Sequence, residues 1–242
     1  MTELRVLRGG GRGPTVVLLH GLGATADVWD GVGQALAGVS WVAPDLPGHG
    51  GSAHLEEYTF AAVAAAVAPL VDPAGTVVVG HSFGGVVGLH LAGLPGVRAV
   101  VGVGIKVSWT PAELSRASDL AARPGSVFAS RDEAERRHLR IAGLDGLAAA
   151  PGAAVRAVPG GWGLAFDQRA FGVGEPGVAA LLAAAPVPVL LARGEHDQMV
   201  SSADLEALVP EFVVLPGLGH NAQVENPAAV VNQLPPLRVL LE

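Results

Sequence analysis

Short, unbroken runs of Val and Leu constrain this chain more than any other feature. They occupy residues 16–19, 41–43, 76–79, 99–103, 187–191 and 212–215. A strand with one wet face alternates apolar and polar residues; a continuous apolar run suits a strand covered on both faces, as in a parallel sheet. Between most of these runs lie segments with the length and apolar spacing of helices, at 24–37, 60–71, 83–94, 177–184, 203–208 and 227–241. Strand and helix alternating in this way predict an α/β fold with a mostly parallel sheet of seven or eight strands flanked by helices. The run at 4–7 adds a strand at the start, expected antiparallel and at an edge.

Residues 106–175 break the rhythm. This segment carries a charged cluster (Arg131, Asp132, Glu133, Glu135, Arg136, Arg137) and reads as two or three helices with no strand between them. The simplest arrangement is a small helical lid, 106–175, inserted into a core made of 1–105 and 176–242. Composition supports a sizeable buried core. Half of the residues are hydrophobic and 15% are charged, where about 25% is usual. Acidic residues outnumber basic ones by 22 to 15, which argues against a nucleic-acid partner. The absence of cysteine excludes disulfides, thiolate metal sites and a cysteine nucleophile. The most membrane-like stretch, 86–105, is interrupted by His90, Pro95 and Arg98, and is expected to be a buried helix and strand rather than a membrane span. The N-terminal residues lack the apolar region of a signal peptide, so a cytoplasmic location is expected.

Gly80-His81-Ser82-Phe83-Gly84 lies between the run at 76–79 and a helix-like segment. G-x-S-x-G in that setting is a nucleophile elbow, a turn so tight that small residues must flank the serine. With 34 glycines in the chain, the motif alone is weak. The same richness produces Gly172-Val173-Gly174-Glu175-Pro176-Gly177, a formal G-x-G-x-x-G that follows no strand and is rejected as a nucleotide site. Ser82 gains weight from its company. The loop after 187–191 carries Glu195 and Asp197, and the loop after 212–215 carries His220. A parallel sheet delivers all of these loops to one edge, so Ser82, Asp197 and His220 can meet there as nucleophile, acid and base. Glu195 is the rival acid. The turn His20-Gly21-Leu22-Gly23 ends the first buried run, and the Leu22 and Phe83 backbone N–H groups are the expected oxyanion donors.

With these motifs, the chain resembles the α/β-hydrolase superfamily, in the lidded esterase or lactonase branch. His20-Gly21-Leu22-Gly23 with Trp29 is similar to the oxyanion-turn signature. Asp45-Leu46-Pro47-Gly48-His49-Gly50-Gly51-Ser52 is similar to the family's D-x-[PR]-G-x-G-x-S loop. Gly194-Glu195-His196-Asp197 and Gly219-His220 with Glu225-Asn226-Pro227 are similar to its acid and histidine loops. The resemblance implies a lid after the sixth strand and a cofactor-independent serine hydrolase without a metal. It implies cleavage of a small to medium apolar ester, lactone or thioester through an acyl-enzyme. It also covers lyases, cyclases and carbon–carbon hydrolases using the same triad, and receptors with little turnover.

Other residues receive plainer readings. His20 is expected to brace the oxyanion turn, Asp45 to tie down its own loop, and His81 to pack. His49, His54, His90, His138 and His196 show no metal-ligand spacing. Trp109, Trp162, Phe166 and Met199 are the candidate pocket walls. Trp162 and Phe166 are four apart and would share one face of a helix.

Overall fold

The computed structural model describes residues 2–241. Its strands are β1 (Val6–Gly9), β2 (Arg12–Leu19), β3 (Val39–Pro44), β4 (Thr76–His81), β5 (Val97–Val103), β6 (Val155–Val158), β7 (Gly161–Leu164), β8 (Val189–Gly194) and β9 (Val213–Leu215). Seven of them form one sheet in the order β1-β3-β2-β4-β5-β8-β9, while β6 and β7 pair separately. Only β1 runs antiparallel, against β3 at the edge; the other neighbours in the seven-stranded sheet are parallel.

The helices are α1 (Asp30–Ala35), α2 (Phe60–Val67), α3 (Phe83–Leu91), α4 (Pro111–Ala121), α5 (Arg131–Ala142), α6 (Val178–Ala184), α7 (Ser202–Glu206), α8 (Ala222–Glu225), α9 (Pro227–Gln233) and α10 (Pro235–Arg238). Continuous apolar strands have the consequence expected of them. In β2, Val17 and Leu19 pack with Phe60, Val63 and Val86 of α2 and α3. Val16 and Leu18 enter the opposite layer with Val32, Leu234 and Leu237. Both faces are therefore dry, and all four of these β2 side chains are fully buried.

The chain runs from β2 outward to β3 and returns to β4 on the other side of β2. The reversal opens a crevice beyond the carboxyl ends of β2 and β4, the usual ligand position in an open α/β sheet. The helix expected over 227–241 is broken at Pro235. The residue before it, Leu234, is forced into extended backbone (φ −96°, ψ 106°) and separates α9 from α10.

The inserted segment differs from the all-helical expectation. It contains α4, α5 and the β6–β7 hairpin, closed by a Pro159-Gly160 turn with Gly160 at φ +86°. Pro followed by a positive-φ Gly is ordinary turn chemistry, which the Ala- and Gly-rich composition here obscured. The segment also follows the fifth strand in chain order rather than the sixth, because a single strand precedes β2. Helices α4 and α5 start where side chains cap them: Thr110 accepts from Glu113 N–H and Ser130 from Glu133 N–H.

Candidate active site

Ser82 sits between β4 and α3 with φ +49° and ψ −114°, a conformation that L residues adopt only under constraint. The constraint comes from its glycines. A Cβ at Gly80 would lie 2.2 Å from the Gly84 carbonyl oxygen, and a Cβ at Gly84 would lie 2.3 Å from that of Leu19. No other residue fits at either position, so the strand turns into the helix within one residue. Ser82 N–H donates to the Val103 carbonyl (2.8 Å), fixing the elbow to β5. The first N–H groups of α3 have no intrahelical acceptor, and they stand beside the serine.

The turn after β2 lies against this elbow. Leu46 N–H donates to His20 Nε2 (2.8 Å), which leaves Nδ1 to donate to the Gly21 carbonyl (2.8 Å). That carbonyl also accepts from Ala24 N–H (3.1 Å). Across a planar trans peptide, a carbonyl and the next N–H point in opposite directions. Clamping the Gly21 oxygen thus aims the Leu22 N–H. Burial pushes His20 down to about 4, so the ring is neutral at physiological pH and keeps this tautomer. Asp45, fully buried, accepts from Ala26 N–H (2.7 Å), Gly51 N–H (2.8 Å) and Arg5, tying the turn to its own loop as expected.

The loops that carry Asp197 and His220 leave β8 and β9. Asp197 Oδ2 lies 3.0 Å from His220 Nδ1, and Asp197 Oδ1 accepts from Met199 N–H (2.8 Å). Burial alone would raise the Asp197 carboxyl, but these hydrogen bonds hold it below its ordinary range. Glu195 faces away and accepts from Gly217 N–H (2.7 Å). Sequence reasoning missed one support, Arg193, and left Glu225 of the histidine-loop motif without a role. Arg193 is buried and donates to the carbonyls of Val200, Glu195 and Asp197 and to Ser202 Oγ, caging the acid loop. A charged residue in an otherwise apolar strand was its only signal. Glu225 accepts from Gly219 N–H (2.6 Å) and Asn221 N–H (3.1 Å), gripping the backbone on both sides of His220.

Ser82, Phe83, Leu22 and His220 line one cavity of about 690 Å³ between the sheet edge and the inserted segment. That volume suits a small to medium organic ligand. Trp109 and Met199 are on its wall, together with Phe60, Phe171 and Ile141. Trp162 and Phe166 are not, which corrects the expectation for both. Trp162 lies on β7, packs with Phe128 and carries the Arg131 guanidinium over its ring. Phe166, past the end of β7, is buried beneath the 45–52 loop, with its ring 4.8 Å from that of His49. The helix that would have put both on one face does not exist. The rejected glycine motif contributes Gly172 to Pro176 to the cavity wall. Among the described residues no cluster of three or more His, Asp or Glu side chains could hold a metal ion, and no helix is long and apolar enough to cross a membrane.

A mostly parallel sheet with Ser82 in a tight turn at its switch point, and a histidine–aspartate pair at the same cavity beneath the inserted segment, is the architecture of an α/β hydrolase. Residues 16–233 match the sequence model of the Alpha/beta hydrolase family, and the chain belongs to that family. It is 32% identical to the esterase Rv0045c of Mycobacterium tuberculosis, over 94% of this chain and 84% of that one. It is 30% identical to the 2-succinyl-6-hydroxy-2,4-cyclohexadiene-1-carboxylate synthase of Escherichia coli O81, over 91% and 92% of the two chains. A solved structure of the M. tuberculosis esterase superposes with a TM-score of 0.76 at 25% identity, covering 98% of this chain and 92% of that one. The family match and the esterase relative place the protein among the α/β-hydrolases of the carboxylic-ester type.

Proposed function

We propose that Ser82, His220 and Asp197 form the catalytic triad, and that the substrate is an ester, lactone or thioester of a small to medium apolar acid. His220 removes the Ser82 proton as Ser82 Oγ attacks the carbonyl carbon. Asp197 holds the ring with Nδ1 protonated and stabilises the imidazolium. The Leu22 and Phe83 N–H groups receive the oxyanion. His220 then returns its proton to the leaving oxygen or sulfur, and the acyl-enzyme remains. Water, deprotonated by the same ring, releases the acid and restores Ser82. The observation that carries this reading is the 3.0 Å Asp197–His220 pair on the cavity that also exposes Ser82.

The test is turnover of p-nitrophenyl esters of graded chain length by the wild type and Ser82→Ala. Turnover lost in the variant, with fluorophosphonate label on Ser82 of the wild type, supports the reading. Equal turnover in both overturns it.

A second reading is an elimination or cyclisation in which the Ser–His pair acts on an acidic C–H. It is favoured by the match to the E. coli synthase, whose name gives it a carboxylate compound, and by Arg116 and Arg140 on the cavity wall, suited to hold carboxylates. It predicts no ester turnover although Ser82 is labelled.

A further inference from the structure

His81 precedes the nucleophile and is buried. Its ring touches the other two parts of the site. His81 Nε2 lies 2.9 Å from the backbone carbonyl oxygen of His220. A carbonyl only accepts, so Nε2 carries the proton and Nδ1 presents a lone pair. The His81 and His220 rings lie 4.7 Å apart, centre to centre. On its other side the imidazole rests against the oxyanion turn: a Cβ on Gly21 would fall 2.7 Å from His81 Nδ1. Position 21 is thereby restricted to glycine, and the turn approaches as closely as backbone can. One neutral ring thus separates the oxyanion turn from the base loop, with the nucleophile as its covalent neighbour.

The remaining hydrogen bonds of the base loop come from different directions. Glu225 grips the flanking N–H groups, and Asp197 holds the imidazole at Nδ1. Neither reaches the His220 carbonyl. The peptide plane following the base is therefore held at both edges, by Glu225 at the Asn221 N–H and by His81 at the His220 carbonyl, and His81 is the edge that also reaches the elbow and the turn after β2.

We propose that His81 is a positioning residue: its Nε2–H, donated to the His220 carbonyl, sets the reach of the base toward Ser82. This inference rests on the triad reading. It predicts a loss in kcat rather than in KM, because the base acts in the transition state while the cavity wall that binds the acyl chain is unchanged. Misplacing a reacting group by about 1 Å costs up to roughly 100-fold.

The experiment compares His81→Phe, which keeps a ring without the donor, with His81→Gln, whose amide N–H reaches the same carbonyl. On a p-nitrophenyl ester, His81→Phe is expected to lose about 10- to 100-fold in kcat, with KM within about twofold. His81→Gln is expected to recover most of that loss. Fluorophosphonate labelling of Ser82 is expected to slow in parallel in His81→Phe. The proposal is overturned if folded His81→Phe keeps its kcat, or if the Gln variant is as impaired as the Phe variant, which would mean packing alone. Should His81→Phe not fold, ¹⁵N NMR of the wild-type imidazoles decides. A protonated Nε2 on His81 that persists from pH 8 to 5 supports the bond, and the Nδ1–H tautomer refutes it. If Ser82→Ala retains turnover, the triad reading itself has failed; with Ser82 essential and His81→Phe unimpaired, only the present inference falls.

Discussion

Asp197 and His220 share a hydrogen bond in which the carboxylate is wholly inaccessible, whereas the imidazole side chain keeps 19% of its surface exposed. The asymmetry matters for the chemistry. A buried carboxylate facing a half-wet ring orients that ring without competing water, and the exposed edge remains available to exchange protons with substrate. Asp197→Asn retains the shape but presents an amide that can fix the wrong tautomer. It is expected to lower kcat by about 10³- to 10⁴-fold while the protein stays folded. Steady-state kinetics on a p-nitrophenyl ester check this, and a loss below tenfold would mean that Asp197 is not the orienting acid.

His20 acts at one remove on the turn that carries the proposed oxyanion donor, Leu22. Its Nδ1–H clamps the Gly21 carbonyl and so aims the next N–H. His20→Ala leaves the Gly21 carbonyl with only the Ala24 N–H and lets that peptide tilt. Losing an oxyanion donor outright costs about 100- to 1000-fold, so a misaimed donor is expected to cost at least about tenfold in kcat. Binding of the neutral product alcohol, measured by calorimetry, is expected to be nearly unchanged. Equal losses in kcat and in product affinity would point to general collapse of the turn.

The two groups of lid aromatics separate by what they touch. Trp109 lines the cavity, and its indole N–H donates to the Lys106 carbonyl (3.2 Å), so its ring is held in place. Phe166 is buried against His49 and Phe171. Trp109→Ala is expected to change KM, and to change it more for longer acyl chains. Phe166→Ala is expected to destabilise by about 3–5 kcal/mol with KM for a short ester little altered. Chain-length series and urea midpoints on both variants test the division, which fails if Phe166→Ala shifts chain-length preference as Trp109→Ala does.

These two aromatics also mark where sequence reading stops. The sheet was legible because continuous apolar strands leave few alternatives, and the Ser82 elbow because its steric demand fixes residues at adjacent positions. The pairing of Asp197 with His220 was legible in loop order, since a parallel sheet delivers its loops to one edge. The lid obeys no such rule. The β6–β7 hairpin is four residues a side, within a segment of Ala and Gly that carries little periodicity, and its pairing is settled by contacts with Phe128 and α5. The roles of Arg193 and Glu225 were illegible for a related reason, although Glu225 stood in the histidine-loop motif. Their importance lies in the backbone groups they hold, and a sequence does not show where backbone groups point.

Four buried histidines make acid stability a test of the interior. Burial pushes His20 and His138 down to about 4, and His49 and His81 down to about 3. In the unfolded chain each titrates near its ordinary value of 6.5. Above that pH both states are neutral and the stability is fully present. Below it the unfolded chain binds protons that the native interior refuses, so stability falls with pH until the native values are reached. Each histidine contributes a loss of about 1 kcal/mol by pH 5.5. The carboxylates held below their ordinary range, Asp27, Glu113, Asp167, Asp197 and Asp204, act only near and below their ordinary values of 3.8 to 4.5, outside this window. Urea midpoints are therefore expected to drop steeply between pH 7 and 5. His49→Phe is expected to lower that slope by about a quarter, whatever it does to stability at pH 7.5. His49 is the apt position because its Nε2 has no hydrogen-bond partner and its ring already packs against Phe83 and Phe166. A flat pH response between 7 and 5 would show that these rings are protonated, and therefore hydrated, in the native protein.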